Sequence, residues 1–322
     1  MRRGWRIALG TLVAVGALVG AALASAWAPD RAVDSLQPRW APPPSRFVSV
    51  DGLAVHVRDV GPREDPLPIV LLHGTSASLH TWEGWAAALS HDRRVISMDL
   101  PGFGLTGPNA AGDYHMASYV RFVLDTLDTL KVQRFVIAGN SLGGNIAWET
   151  ALAAPARVDK LILVDAAGYP PTATSVPLGF RLARTPVVNR LLPHLLLRSM
   201  IDASVRNVYG DPSRVTPELV DRYEQMTLRA GNRRALVQRF EQSDFGAGAQ
   251  RIASLKLPTL VLWGGRDRLI PPEHARRFVH DIAGSTLVVF DDLGHVPQEE
   301  APARSVAAVQ HFLGLPAAPT LP

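Results

Sequence analysis

Short, near-continuous apolar runs recur along the chain: Ile69 to Leu72, Val95 to Met98, Phe135 to Ala138, Leu161 to Val164, Leu260 to Trp263 and Leu287 to Phe290. Longer stretches of helical spacing separate them. Strands that are apolar on both sides and alternate with helices predict a parallel sheet covered on both faces. Ahead of them, Phe47 to Val50, the Asp51-Gly52 pair and Leu53 to Val57 read as a hairpin, because its turn residues tolerate positive φ. The sheet is therefore expected to begin antiparallel. The alternation then stops from about Gly168 to Ser254, where no run resembles a buried strand and Val176 to Met200 and Pro217 to Phe240 carry helical spacing. We read a helical cap inserted between two strands of one sheet; a separately folding second domain is the alternative.

The N-terminus carries a different pattern. Met1 to Arg6 is basic, and Ile7 to Ala28 runs 22 residues without a charge, about 33 Å as a helix. This predicts a membrane-spanning segment. Ala24-Ser25-Ala26 also fits a small-x-small cleavage site, but the length of the apolar run favours an uncleaved anchor over a signal peptide. Either outcome leaves the basic end in the cytoplasm and exports the rest, as a membrane-anchored or a secreted catalytic domain. Pro29 to Ser45 holds five prolines and reads as an extended tether. The expected organisation is an anchor or signal at 1–28, a linker at 29–45, a catalytic domain at 46–313 with its cap at about 168–254, and a tail at 314–322.

Composition narrows the possibilities further. With 322 residues, 47% apolar and 19% charged, the chain can bury a large core and is too apolar for disorder. The formal net charge is only +4, and basic pairs such as Arg233-Arg234 and Arg276-Arg277 lack interleaved aromatics, so nucleic acid is not an expected partner. The absence of cysteine excludes disulfides, thiolate metal sites, a cysteine nucleophile and a lipid-modified N-terminal cysteine.

Candidate chemistry sits at the ends of the predicted strands. Gly139-Asn140-Ser141-Leu142-Gly143 follows Phe135 to Ala138 and opens into the helical stretch Asn145 to Leu152. A tight strand-to-helix turn of this kind holds a serine hydroxyl out toward a base and near unpaired backbone N–H groups. The pentapeptide alone also arises by chance, so its company decides. In open α/β sheets ligands bind at the carboxyl ends of strands, and four other strand ends carry polar or glycine-rich sequence: His73-Gly74-Thr75-Ser76, Asp99 through Gly104, Gly264-Gly265-Arg266-Asp267 and Gly294-His295.

These motifs, with Pro271, make the chain from Arg46 to Leu313 resemble an α/β-hydrolase, in that family's order of serine, acid and histidine. The resemblance implies a catalytic triad of Ser141, Asp267 and His295. Ser141 attacks a carbonyl carbon, His295 takes its proton and later delivers it to the leaving group, and Asp267 fixes the imidazole tautomer. It also implies an oxyanion hole made by the backbone N–H groups of Thr75 and Leu142, with neither metal nor organic cofactor. His73 is expected to support the loop that positions Thr75, and Asp99 to brace the loop through Gly104. Asp165, at the end of the preceding strand, is the alternative acid. Asp291 and Asp292 read as turn residues, and His56, His80, His91, His115, His194, His274, His280 and His311 as solvated or packing residues.

A serine at this turn argues against epoxide opening and halide displacement, for which related enzymes use aspartate. Ester, thioester or amide hydrolysis remains, as does hydrolytic C–C cleavage, because the run Gly139 to Gly144 is similar to the turn of enzymes that split vinylogous diketones. Those enzymes typically carry a glycine-richer loop than Gly74 to Ser78 and act in the cytoplasm, so the expected export favours a small, apolar carboxylic ester as substrate. A non-catalytic binding protein on the same fold stands as the third reading. In the cap Val176, Leu178, Phe180, Leu182, Val187, Val188, Leu191, Leu192, Leu195, Leu196 and Leu197 either line an apolar pocket or form the cap's own core. Trp82 and Trp85 either face substrate or cover the sheet.

Overall fold

The structure, a computed structural model, describes residues 2–186, 188–190 and 192–316. A helix α1 (Arg2–Ala26) and a short α2 (Val33–Trp40) precede the hairpin β1 (Ser45–Val50) and β2 (Leu53–Val60). Strands and helices then alternate: β3 (Ile69–Leu72), α3 (Glu83–Leu89), β4 (Val95–Met98), α4 (Met116–Thr129), β5 (Phe135–Asn140), α5 (Leu142–Ala153) and β6 (Val158–Val164). The cap contributes α6 (Leu178–Ala183), α7 (Arg198–Val208), α8 (Pro217–Leu228) and α9 (Asn232–Glu241). Strand β7 (Thr259–Gly264), α10 (Glu273–Asp281), β8 (Thr286–Phe290), α11 (Pro297–Glu300) and α12 (Pro302–Leu313) complete the chain.

The eight strands form one sheet in the order β1-β2-β4-β3-β5-β6-β7-β8. Its first two pairings are antiparallel and the others parallel, so the mostly parallel, doubly covered α/β sheet expected from the pattern is present. Alternate residues of one strand feed opposite cores. Val70 and Leu72 join Phe122, Val123 and Ile146, whereas Ile69 and Leu71 join Trp82, Trp85, Val306 and Val309. Trp82 and Trp85 are therefore sheet cover, with the Trp85 indole N–H donating to Ser305 Oγ at 2.8 Å.

Three expectations change. Among the described residues no helix is long and apolar enough to cross a membrane, whereas a span needs about 20 predominantly apolar residues in succession. The membrane anchor expected at 1–28 is corrected on this finding, and the membrane partner and the anchored or exported localisation built on it lose their basis. The stretch expected to be an extended tether instead lies on the cap. Leu36 of α2 is buried with Leu105 and Met226, and Arg31 N donates to Leu228 O at 2.7 Å. Just ahead of it, Leu196 N donates to Ala26 O at 2.8 Å and Trp27 stacks on His194. Finally, the helical spacing from Val176 to Met200 does not give one helix. Pro186 and Pro193 fall within it, and prolines lack the donor and carry the ring clash that end helices; the segment folds as six-residue α6, two 3-10 turns and then α7.

Candidate active site

Strand β5 ends at Asn140 and α5 begins at Leu142, so Ser141 alone makes the turn, at φ 54° and ψ −114°. A non-glycine residue held there is strained and must be fixed by its surroundings. The flanking glycines do this by permitting close approach. A Cβ on Gly139 would sit 2.1 Å from Gly143 O, and one on Gly143 would sit 2.1 Å from Leu72 O. Leu142 opens α5, and the first N–H groups of a helix have no intrahelical acceptor. The loop after β3 runs beside this end: a Cβ on Gly74 would lie 3.1 Å from the Ser141 Cβ, and Ala77 N donates to Gly74 O at 3.2 Å. The backbones of Thr75 and Leu142 are thus brought to one rim with Ser141.

The loop has a buried brace. His73 Nδ1–H donates to Gly74 O at 2.7 Å, while its Nε2 accepts from Leu100 N at 2.9 Å. Burial lowers the imidazole's pKa against the opposing charge of Asp99, which suits a neutral ring with one donor and one acceptor. Asp99 accepts from Leu79 N, Leu105 N and His56 Nδ1, each at 2.7 Å. Burial works to raise this carboxyl, but His56 foremost, with its hydrogen bond, His73 and His80, outweighs burial and holds it well below the usual carboxylate range. His56 and His80 are fully or nearly fully buried. The structural pairing of His56 with Asp99 was missed because an alternating strand gives no sign of which polar residue faces inward.

At the far rim His295 follows β8 and Asp267 follows β7. His295 Nδ1 and Asp267 Oδ2 are 2.6 Å apart, and Asp267 Oδ1 accepts from Leu269 N at 2.8 Å and Ile270 N at 3.0 Å. Asp165, the alternative acid, instead accepts from Gly264 N at 2.9 Å and lies fully buried near Asp267. Burial first, and then the Asp267 charge, push the Asp165 carboxyl well above its ordinary pKa. Ligand atoms of Asp165, Asp267 and His295 lie within 4.8 Å of one another. Within this group His295 Nδ1 and Asp267 Oδ2 engage each other, whereas Asp165 Oδ2 is buried without a partner.

A carboxyl raised in this way couples stability to pH. Above the unfolded-state pKa the unfolded chain is ionised at Asp165 while the folded chain keeps the proton, so stability falls as pH rises from about 4 toward the folded-state value. Asp165→Asn removes this loss, which for one whole proton approaches about 1.4 kcal/mol per pH unit. Chemical denaturation between pH 4 and 8 is expected to give a flatter profile for the variant; parallel profiles would show that Asp165 is ionised in the folded protein.

Two residues that pattern reading did not single out complete the support. Asn140 Nδ2 donates to Val164 O at 3.1 Å and to His295 O at 2.9 Å, tying the Ser141 turn to the histidine loop. Glu300 accepts from Gly294 N at 2.8 Å. Asn140 was detectable as a polar residue closing an apolar strand, whereas bonds to backbone amides leave no motif.

Ser141 and His295 open into a cleft, partly exposed to solvent, that also touches Thr75 and Asn140. Its walls are mainly aliphatic. Of the cap residues expected there, Phe180, Leu195 and Leu196 line it; Met200, Ile201, Val205, Val208, Leu236, Leu269 and Val296 add further apolar surface. Val187 and Leu191 lie outside the described residues, as does 317–322 of the expected tail. Arg233 brings a guanidinium to this wall. It is buried, its Nη2 donating to Ala28 O at 2.6 Å and Asp30 Oδ1 at 2.7 Å, while its Nε and Nη1 are without partners.

Comparison with known proteins places this geometry in context. A family model described as the alpha/beta hydrolase fold matches residues 68–302. The chain is 30% identical over 277 residues to the 2-hydroxy-6-oxo-2,4-heptadienoate hydrolase of Pseudomonas putida, covering 83% of this chain and 95% of that one. Among solved structures it is similar to a membrane phospholipase A described as a bacterial virulence factor, with a TM-score of 0.74, 26% identity and 98% of both chains covered. It is also similar to a meta-cleavage product hydrolase from Pseudomonas fluorescens, with a TM-score of 0.72, 28% identity, and 84% and 97% of the two chains covered.

Proposed function

The chain belongs to the α/β-hydrolase family, and we propose that within it the protein is a serine hydrolase cleaving a carboxylic ester with an apolar acyl group. Ser141 Oγ attacks the ester carbonyl as its proton passes to His295 Nε2. Asp267, on the other ring nitrogen, fixes the tautomer and stabilises the imidazolium. The oxyanion lies between the N–H groups of Thr75 and Leu142, where loss of one donor typically costs about 3 kcal/mol. Collapse expels the alcohol, which takes the proton from His295; water then enters, repeats the transfer and releases the acid.

The observation that carries the ester reading is the aliphatic wall of the cleft over Ser141. Export no longer weighs between ester and C–C cleavage, but this wall does, since an acyl chain gains by leaving water whereas a charged substrate does not. Likeness to a phospholipase A over 98% of both chains supports the same reading. A panel of p-nitrophenyl esters tests it. Each methylene that enters the wall adds about 0.8 kcal/mol, so kcat/KM is expected to climb about fourfold per added methylene until the cleft is filled. A flat or falling series from the acetate upward counts against an acyl pocket.

C–C hydrolysis is the second reading, and Arg233 favours it. A buried guanidinium with two unpartnered nitrogens suits the carboxylate of a dienoate such as the one in the name of the Pseudomonas putida relative. A 2-hydroxy-6-oxodienoate added to the panel separates the two: turnover of it above that of every ester would replace the first reading with the second.

A further inference from the structure

The residues after His295 hold the cap as well as the sheet. Glu299 and Glu300 end α11, five residues or fewer from the imidazole, and point their carboxylates at two different cap segments. Glu299 pairs with Arg222 of α8 and accepts from Tyr223 Oη at 2.8 Å. Glu300 is buried, and its Oε2 accepts from Gly210 N at 2.9 Å while Oε1 accepts from Asp211 N at 2.8 Å, both on the exit of α7. The same Oε2 accepts from Gly294 N at 2.8 Å, next to His295.

The two backbones held by Glu300 also touch directly. His295 N donates to Val208 O at 2.7 Å. A Cβ on Gly210 would lie 2.4 Å from Asp292 O, and one on Gly294 would lie 2.3 Å from Val208 O. The cap exit and the histidine loop are therefore one packed unit, and Val208 is itself part of the cleft wall. We propose that Glu300 is a positioning residue, whose carboxylate locks the exit of α7 to the histidine loop so that His295 is aligned only when the cap is seated. This rests on the serine-hydrolase reading and adds to it a physical link between the wall that meets substrate and the base that serves Ser141.

A carboxylate can accept all three amides, whereas a glutamine offers one acceptor oxygen and turns its NH2 toward a donor. Glu300→Gln keeps shape and burial while breaking part of the lock. Misplacement of a catalytic group by about 1 Å costs on the order of a hundredfold, so kcat for an alkyl ester is expected to fall about ten- to a hundredfold, with KM within about threefold. For a p-nitrophenyl ester, whose leaving group needs no proton, the loss is expected to be smaller by at least about threefold. A folded Glu300→Gln protein with unchanged kcat on both esters overturns the proposal, as does an equal loss on both.

Hydrogen exchange of the wild-type chain gives a test that no folding defect can obscure. The amides of Gly210, Asp211, Gly294 and His295 are expected to open together, with protection factors within about threefold of one another; a wider separation of the first pair from the second overturns the lock. Labelling of the wild-type protein by a fluorophosphonate separates the two levels. A protein that is not labelled refutes the serine-hydrolase reading itself, while a labelled protein with independent amides refutes only the role of Glu300.

Discussion

Ser141→Ala is expected to lower ester turnover by about 10⁶-fold, the scale at which loss of a triad serine removes the covalent route and leaves only binding and oxyanion stabilisation. Stability is expected to survive. The Ser141 side chain makes no capping hydrogen bond to α5, and alanine meets the positive φ of 54° with the same Cβ that serine already carries. The thermal midpoint should therefore move little while activity disappears, and that separation gives the test its force. Fluorophosphonate labelling of the wild-type chain and its loss in the variant check the same point chemically. Labelling that persists in Ser141→Ala would move the nucleophile to another serine.

Much of this arrangement could be read from the sequence because parallel strands are buried on both faces and so appear as uninterrupted apolar runs. Strands β3 and β4 coincide with Ile69 to Leu72 and Val95 to Met98. Strand β6 starts earlier than its run, at Val158, because the half-buried Asp159 and Lys160 interrupt the apolar pattern while the strand continues past an irregularity at Asp159, with Val158 paired to Phe135 and Lys160 to Val136. The candidate triad was legible for a related reason: each of its members lies within five residues of the end of a strand, where a polar residue has no packing role to explain it.

What pattern reading lacked is information carried by tertiary contacts. In residues 29–45 the prolines dominated the reading, yet Val33, Leu36 and Trp40 fall on one side of a helix, and burial against Met226 holds it. The anchor at 1–28 rested on an apolar run alone, and the described residues hold no helix that meets the requirement for a span. Asn140 and Glu300 act on backbone amides contributed by distant segments, so their roles depend on which loops meet. No spacing rule encodes that.

Asp267→Asn is expected to cost about 10⁴ in kcat, and the local hydrogen bonds explain why a change of one atom is so severe. One carboxylate oxygen takes Leu269 N and Ile270 N, leaving the other for His295 Nδ1 at 2.6 Å. In the asparagine variant the amide oxygen best satisfies the two backbone donors, which turns the NH2 group toward the ring. His295 must then accept at Nδ1 and carry its proton on Nε2, where it can no longer take one from Ser141. Asp165 gives this experiment a second arm. Its carboxyl is held neutral by burial and by the charge of Asp267, and the substitution removes that charge. Residual turnover of Asp267→Asn is therefore expected to recover partly as pH rises and Asp165 ionises beside the ring, and this recovery should vanish in the Asp165→Asn/Asp267→Asn double variant. Near-normal rates in Asp267→Asn at neutral pH would instead make Asp165 the working acid, with Asp267 its support.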